Sequence, residues 1–212
     1  MQTLIYLFVF IADSAGSLGS FLSDRTAKVF VAGHRGLVGS AVHRKLVSLG
    51  FTNLLPRTHA ELDLTRQSDV KSLFAAELPS YVIVVAAKVG GIHANDTFPA
   101  DFIATNLKIQ TNIIDAALRA CCGSVRKLPF LGSSCLYPKY RSTGVALLSG
   151  PIKMCQAYRI QHGLDAICAM PTSLYGPHDN FHPENSRRCS VVSTKRRPRE
   201  QSRWCCGARG HR

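Results

Sequence analysis

Three glycines spaced three residues apart form the motif in this sequence best suited to chemistry. Gly33, Gly36 and Gly39 follow a short apolar run and precede a segment with helical periodicity. Glycines at such a junction let the backbone approach an anion, and the free N–H groups at the start of the helix point toward it. The triplet alone is weak evidence, because turn glycines also occur near helices by chance. Its position between a strand and a helix predicts a dinucleotide phosphate site.

Two arginines indicate which dinucleotide this site would bind. Arg35 lies inside the glycine turn, and Arg57 lies about 20 residues past it. At that distance, dinucleotide-binding folds contact the 2′ position of the adenosine ribose. An acidic residue there would favour NAD, whereas two guanidinium groups suit a 2′-phosphate. We therefore predict NADP; the alternative is that both arginines are solvated surface residues. Asp63 is predicted either to accept from the adenine amino group or to cap the next helix.

The glycine turn belongs to a predicted alternation of strands and helices. Short apolar runs predict five buried strands, at residues 28–32, 54–57, 81–87, 127–132 and 166–170. Apolar residues at helical spacing predict helices at residues 37–49, 69–78, 100–120 and 152–162. This order predicts an α/β fold with a doubly wound parallel sheet, the Rossmann type of NADP-binding domain. Pro129 weakens the fourth strand because it cannot donate to the ladder, and residues 139–152 are predicted to be irregular.

Length and charge limit the classes of protein to consider. The 212 residues are 46% hydrophobic, enough for one substantial core, and no apolar stretch is long enough to span a membrane. The net charge is +13, but residues 187–212 alone hold nine Lys/Arg against one Glu. The excess is therefore a property of a tail, and we expect no specific nucleic-acid partner and no membrane contact. We divide the chain into a divergent leader (1–19), a Rossmann domain (20–186) and a basic tail (187–212), with both ends expected to be disordered.

The cysteines and histidines bear on the redox compartment of the protein and on metal binding. The eight cysteines include no Cys-x-x-Cys pair and no zinc spacing, which favours reduced thiols and a cytoplasmic protein. Residues 4–11 resemble the apolar part of a signal peptide, but they lack a preceding basic region and a good cleavage site; a true signal is the alternative. Four potential metal ligands lie close together at His178, Asp179, His182 and Glu184. The turn residues before them predict a loop, and we predict no metal.

Four segments resemble GDP-L-fucose synthase, a family of extended short-chain dehydrogenases. They are residues 31–40, 86–92, 132–138 and 170–186, and the resemblance as a whole runs from about residue 20 to residue 186. It implies a NADPH-dependent enzyme that converts GDP-4-keto-6-deoxy-D-mannose to GDP-L-fucose by 3,5-epimerisation and 4-keto reduction. It also implies a GDP-sugar substrate and a homodimer.

The resemblance assigns roles to individual residues. Ser133 matches the serine that hydrogen-bonds the substrate carbonyl, and Cys135 matches the epimerisation base, which acts as a thiolate; the alternative for Cys135 is a small buried hydrophobe. Ser173 replaces an asparagine of the family. The predicted cofactor contacts are Gly33, His34, Arg35, Gly36, Leu37, Val38, Gly39, Arg57, Asp63, Ala86, Ala87, Leu131, Gly132, Ser133, Ser134, Pro171, Thr172, Ser173 and Leu174. Three further residues, Lys88, His93 and Asn106, either face the substrate or cofactor or lie on the surface.

The sequence departs from the family at two catalytic positions. The family has a Tyr-x-x-x-Lys pair on the helix after the serine, within a stretch of about fifteen residues that has no counterpart between Pro151 and Ile152. Tyr158, followed by a histidine four residues later, imitates this spacing but lies beyond the true pair. The catalytic histidine of the family would follow Ser186, where this chain has Arg187. Two hypotheses follow: a working epimerase-reductase, or a catalytically inactive NADP-binding remnant.

A shifted reading frame accounts for the basic tail. The family reads approximately Arg-Phe-His-Glu-Ala-Lys after Ser186. With one choice of synonymous codons for that stretch, a reading frame that begins one nucleotide late gives Val-Ser-Thr-Lys-Arg. These are the residues at 192–196. We therefore hypothesise that residues 187–212 are out-of-frame translation and that the C-terminal substrate domain is largely missing.

Overall fold

A parallel sheet of five strands forms the centre of the molecule. The computed structural model describes residues 24–90, 92–119, 123–132, 144–171, 174 and 176–179. Its strands are β1 (Val29–Ala32), β2 (Leu54–Leu55), β3 (Tyr81–Val84), β4 (Leu128–Leu131) and β5 (Ala166–Ala169). Its helices are α1 (Leu37–Ser48), α2 (Gln67–Glu77), α3 (Ile92–Thr97), α4 (Pro99–Arg119) and α5 (Gly144–His162). The strands are arranged in the order β2-β1-β3-β4-β5 and are all parallel, which confirms the doubly wound sheet.

Each face of the sheet carries its own hydrophobic core. On one face, Val29 and Val31 of β1 pack with Val42 and Leu46 of α1. On the other face, Phe30 packs with residues of α2, α4 and α5. Full burial of one such side chain stabilises the fold by about 1.5–3 kcal/mol. Because both faces are covered, the strands have continuous apolar sequences rather than alternating ones.

The order of the strands places the glycine turn where the direction of winding changes. From β1 the chain passes to β2 on one side and then returns to β3 on the other. In open α/β sheets, ligands bind at the carboxyl ends of the strands where the direction of winding changes in this way. Ala32, the last residue of β1, is level with Val84, the last residue of β3. The turn after β1 and the loop after β3 therefore begin side by side.

The third strand is shorter than predicted. The sequence predicts a strand at residues 81–87, but β3 ends at Val84. Its neighbour β1 turns away at Gly33, and the final bond between the two segments joins the Val85 N–H to the Ala32 carbonyl at 3.1 Å. Without a ladder partner beyond this point, residues 85–87 form a loop.

The predicted irregular segment before residue 152 is wrong for its second half. Helix α5 begins at Gly144 and continues through Pro151, more than two turns earlier than predicted. Pro151 lacks an N–H and so cannot bond the carbonyl four residues before it, but the helix continues around it. The short helix α3 was also not predicted, because its six residues show no clear apolar periodicity.

Pro129 lies within β4, as predicted, and weakens one side of it. The Leu128 and Gly132 N–H groups donate to residues of the β5 segment, so the alternate position, 129, faces β3. The missing donor of Pro129 is therefore on the β3 side, where strand pairing is confined to Val84 with Phe130 and one isolated bridge. Pairing with β5 is continuous.

None of the helices in the described part of the chain is long and apolar enough to cross a membrane.

Candidate functional site

The glycine turn closes tightly between β1 and α1. The Gly36 N–H donates to the Gly33 carbonyl at 3.1 Å. Gly33 has φ +86°, a conformation that favours glycine, and a Cβ there would lie 2.9 Å from the Cα of Ala86. A Cβ on Gly39 would lie 2.0 Å from the Gly33 carbonyl oxygen. Two of the three glycines are thus required by contacts within the protein itself.

Gly36 is different, because the protein leaves room for a side chain there. Its backbone is extended, with φ −73°, and the nearest protein atom to a Cβ would be 3.6 Å away, an ordinary van der Waals distance. Packing within the chain therefore does not explain the glycine. An open position at the N-cap of a helix is the feature that a bound phosphate requires. This observation fits the dinucleotide prediction.

The start of α1 is electrostatically suited to an anion. Gly36 is its N-cap and supplies no side chain to bond the exposed N–H groups, and the first turn contains no acidic residue. The Ser40 hydroxyl, in the first turn, donates to the Leu37 carbonyl at 3.2 Å. Leu37 and Val38 are half-buried, and Arg35 is exposed beside them.

The second predicted arginine already has an acidic partner. Arg57 Nη2 donates to Glu77 Oε1 at 2.9 Å, and Lys28 Nζ donates to Glu77 Oε2 at 3.1 Å. The Lys28 hydrogen bond, with further attraction from Lys28 and Arg57, lowers the pKa of Glu77. Glu77 is the last residue of α2 and was not identified from the sequence, because no local pattern indicates a contact between residues 20 positions apart.

His34 connects the glycine turn to the end of β2. Burial lowers its pKa, and the nearby His43 and Arg35 lower it further; a hydrogen bond with the Arg57 backbone acts in the opposite direction. Its Nδ1 atom is buried without a hydrogen-bond partner among the described residues. The neutral imidazole is therefore favoured, and its ring lies 6.2 Å from that of His43.

Asp63 forms a local turn rather than a helix cap. Its Oδ1 atom accepts from the N–H and the hydroxyl of Thr65, at 2.9 and 2.7 Å, and these bonds lower its pKa. The N-cap of α2 is Arg66, so the capping alternative for Asp63 is wrong. The proposed contact with adenine stays a prediction.

A buried asparagine fixes the loop that follows β3. Asn106 of α4 accepts from the Lys88 N–H at 2.7 Å and donates to the Lys88 carbonyl at 2.9 Å. The two bonds hold the end of the segment formed by Ala86 and Ala87, and Ala86 contacts Gly33. Asn106 is only 9% exposed, so its surface alternative is wrong. The Lys88 ammonium group lies 5.1 Å from the centre of the Phe102 ring.

The segments after β4 and β5 lie next to each other. The Gly132 N–H donates to the Ala169 carbonyl at 2.9 Å, and a Cβ on Gly132 would lie 2.7 Å from the sulfur of Met170. A Cβ on Gly176 would lie 3.3 Å from Leu37, which brings the later loop to the start of α1. The predicted residues at these strand ends within the described part are half-buried: Leu131, Gly132, Pro171 and Leu174.

Several predicted residues lie outside the described residues. They are Ser133, Ser134, Cys135, Thr172 and Ser173. The backbone of His93 belongs to α3, but its side chain is not among those that the structure describes. Their assigned roles stay predictions.

Tyr158 lies far along α5 and does not reach the glycine turn. It interacts electrostatically with Arg119, the last residue of α4, and its ring contacts that of His162 in the final turn of α5. Helices that connect parallel strands run back toward the amino ends of those strands. The ends of α4 and α5 are thus at the sheet edge opposite the site. This position agrees with the prediction that Tyr158 only imitates the family pair.

The region for which the sequence predicts no metal lies partly within the described residues, at His178 and Asp179. Within the described residues no group of three or more His, Cys, Asp or Glu side chains is arranged to hold an ion. The two other potential ligands, His182 and Glu184, lie outside the described residues.

Known proteins similar to this chain share both its sequence and its fold. The model of the NAD dependent epimerase/dehydratase family matches residues 29–201. "Probable GDP-L-fucose synthase 1" of Oryza sativa subsp. japonica is 70% identical over 185 positions, covering 79% of this chain and 56% of the rice protein. The GDP-L-fucose synthase of Escherichia coli K12 is 48% identical over 177 positions, covering 75% of this chain and 54% of that protein. A crystal structure of a GDP-D-glycero-L-gluco-heptose synthase from Campylobacter jejuni, determined with NADPH, superposes with a TM-score of 0.72 at 33% identity, covering 79% of this chain and 54% of that one.

These matches establish the family. The chain belongs to the NAD dependent epimerase/dehydratase family, and it spans about half the length of the curated relatives it matches. The 185 aligned positions exceed the 79% of 212 residues that this chain contributes, so the rice protein has additional residues within the aligned region. That agrees with the predicted internal deletion without locating it. The match also extends past Ser186 to residue 201, and the origin of the basic tail stays a prediction.

Proposed function

We propose that this family member binds NADP(H) at the carboxyl edge of its sheet and is a GDP-L-fucose synthase by descent. Such an enzyme converts GDP-4-keto-6-deoxy-D-mannose to GDP-L-fucose by 3,5-epimerisation and 4-keto reduction. The observation that carries the proposal is the open position at Gly36, in a chain 70% identical to a protein named as a probable GDP-L-fucose synthase.

The residues of the carboxyl edge fit a dinucleotide. The pyrophosphate would be bound by N–H groups at the start of α1, next to the exposed Arg35. Arg57 would bind the 2′-phosphate. Ala86 lies beside Gly33 and is followed by Ala87, and Asn106 fixes their loop through Lys88.

The assigned chemistry needs a base and a hydrogen-bond donor near the substrate ketone. We assign these roles to Cys135 and Ser133 on the basis of the family resemblance. The Cys135 thiolate would remove a proton from the carbon beside the ketone, and the electron pair of the C–H bond would pass to the ketone oxygen as an enolate. Ser133 would donate a hydrogen bond to that oxygen. When bound, NADPH supplies the hydride for the reduction.

We also propose that the folded protein is a cytoplasmic homodimer. Ile103 and Leu107 lie one turn apart on α4 and are 40% and 42% exposed, so they provide apolar surface for a second copy. Light scattering during size-exclusion chromatography would report a single mass of two chains. A mass of one chain at micromolar concentration would contradict the dimer.

The test combines binding with turnover. The purified chain would be titrated with NADPH and then supplied with GDP-4-keto-6-deoxy-D-mannose, and the oxidation of NADPH would be followed by fluorescence. Saturable binding with oxidation supports the whole proposal. Saturable binding without oxidation identifies the inactive NADP-binding remnant, and absence of binding overturns the proposal.

The role of Cys135 can be tested apart from reduction. Solvent deuterium should enter the substrate beside the ketone in a working enzyme, and Cys135→Ser should abolish this exchange. Cys155, a buried free thiol on α5, gives a matched control, and Cys155→Ser should retain the exchange. If both variants exchange deuterium at the wild-type rate, Cys135 is not the base of the proposed mechanism.

A further inference from the structure

The guanidinium group of Arg57 is bound to a carboxylate in this structure. Its Nη2 atom donates to Glu77 Oε1 at 2.9 Å, and its Nη1 atom donates to the carbonyl of Pro56 at 3.3 Å. The Arg57 side chain is 34% exposed and that of Glu77 25% exposed, so water reaches the pair but does not surround it. The residue proposed to bind the 2′-phosphate therefore already has an anionic partner.

Glu77 is held between two cations from two other parts of the fold. Lys28, just before β1, bonds Oε2, while Arg57, just after β2, bonds Oε1. Lys28 first and Arg57 second lower the pKa of the Glu77 carboxyl, which is ionised at neutral pH. The charge available to attract Arg57 thus depends on how strongly Lys28 shares the same carboxylate.

A carboxylate and a phosphate monoester compete for the same donors. Both present anionic oxygens that match the planar fork of a guanidinium group. An N–H group directed at Glu77 cannot point at a phosphate at the same time. The guanidinium group has five N–H donors, and the structure commits one on Nη2 to Glu77 and one on Nη1 to Pro56. A 2′-phosphate that meets Arg57 therefore either displaces Glu77 or binds the remaining donors of a cation whose charge Glu77 already partly neutralises.

We infer that Glu77 is a specificity-determining residue that competes with the cofactor 2′-phosphate for Arg57, and that Lys28 moderates this competition. The inference rests on the proposed NADP(H) site. Glu77 limits the preference for NADP(H) over NAD(H), because it weakens only the contact that distinguishes the two cofactors. Removing its charge frees Arg57 for the phosphate, and removing Lys28 leaves the carboxylate to Arg57 alone.

The two substitutions should change the NADPH affinity in opposite directions. Partly exposed ion pairs have modest energies, so we expect Glu77→Gln to tighten NADPH binding about two- to fivefold and Lys28→Met to weaken it by a similar factor. NADH has no 2′-phosphate, and its affinity should change less than about 1.5-fold in either variant. Dissociation constants would be measured on the full chain by fluorescence titration, with circular dichroism to confirm that each variant is folded.

Two controls on the same helix separate this effect from a general change of charge. Asp69→Asn and Lys71→Met remove one negative and one positive charge from α2 without altering a partner of Glu77. They should leave the ratio of NADPH to NADH affinity at its wild-type value. A shift of this ratio in the controls equal to that in the test variants would overturn the inference.

The outcomes distinguish this inference from the proposed function. If the wild-type chain fails to bind NADPH, the proposed function itself is wrong. If wild type binds NADPH but Glu77→Gln weakens or does not change the preference, Glu77 does not compete for Arg57 and the inference is wrong. If Glu77→Gln does not fold, Lys28→Met still decides the question, since an unchanged or increased preference for NADPH in that variant contradicts the competition.

Discussion

Substitution of Gly36 should separate cofactor binding from folding. An alanine there would place its methyl group 3.6 Å from the nearest protein atom, in an extended backbone that alanine adopts readily. Alanine is a clearly poorer N-cap than glycine, so we expect a loss of stability of about 0.5–1 kcal/mol. The methyl group would occupy the space in which the helix N–H groups meet the phosphate. We expect Gly36→Ala to weaken NADPH binding by at least about tenfold, or about 1.4 kcal/mol.

Gly39 and Gly50 provide matched comparisons for this prediction. A Cβ on Gly39 would lie 2.0 Å from the Gly33 carbonyl oxygen, so Gly39→Ala forces the backbone to move and should cost about 1–3 kcal/mol of stability as well as NADPH binding. Gly50 has φ +84° but lies at the other end of α1. Gly50→Ala should cost about 1–2 kcal/mol through backbone strain and leave the NADPH affinity unchanged.

The assay measures both quantities on the same protein. Urea denaturation followed by circular dichroism gives the free energy of unfolding, and fluorescence titration gives the dissociation constant for NADPH. A Gly36→Ala variant as destabilised as Gly39→Ala would refute the steric argument. A stable Gly36→Ala variant with wild-type NADPH affinity would refute the assignment of the open position to a phosphate.

Three further predictions concern two side chains at the site and one at the opposite sheet edge. Asn106→Ala removes both bonds to the Lys88 backbone and should lower the free energy of unfolding by about 1–3 kcal/mol in urea titrations. An unchanged free energy of unfolding would show that the loop after β3 does not depend on Asn106. The pKa of His34 is lowered from 6.5 in the folded chain, so its stabilising contribution is full above pH 6.5 and is lost as the pH falls below that value. The melting temperature of wild type should fall more steeply than that of His34→Gln between pH 7 and 5, and parallel curves would contradict this. Tyr158→Phe should leave the dissociation constant of NADPH and any NADPH oxidation unchanged, and a large loss of oxidation would show that Tyr158 is a proton donor.

The part of the fold governed by local patterns was predictable from the sequence. The apolar run before Gly33 and the helical spacing after it correctly placed β1, the turn and α1, because each pattern determines its own element. The end of β3 was mispredicted at residue 87, since it depends on where the neighbouring strand turns away. The start of α5 was mispredicted because the helix continues through Pro151 despite the lost backbone bond.

The candidate site was predictable in its backbone and less so in its charges. The spacing of the glycines and Arg57 correctly predicts their positions after β1 and β2, because the geometry of dinucleotide folds fixes that spacing, and their contact with a cofactor stays a prediction. Glu77 could not be identified in this way, because its contact with Arg57 arises only when α2 packs beside the end of β2. Asn106 was considered from the sequence, but its two bonds to Lys88 depend on the tertiary arrangement of α4 and the loop after β3.

We propose that the carboxyl edge of this sheet binds a dinucleotide and distinguishes NADP(H) from NAD(H) by the 2′-phosphate. The most direct measurement is a pair of equilibrium fluorescence titrations of the full chain, one with NADPH and one with NADH. We predict saturable binding of both, with NADPH bound more tightly. Absence of saturable NADPH binding would contradict the site, and equal affinities for the two cofactors would contradict the role of Arg57.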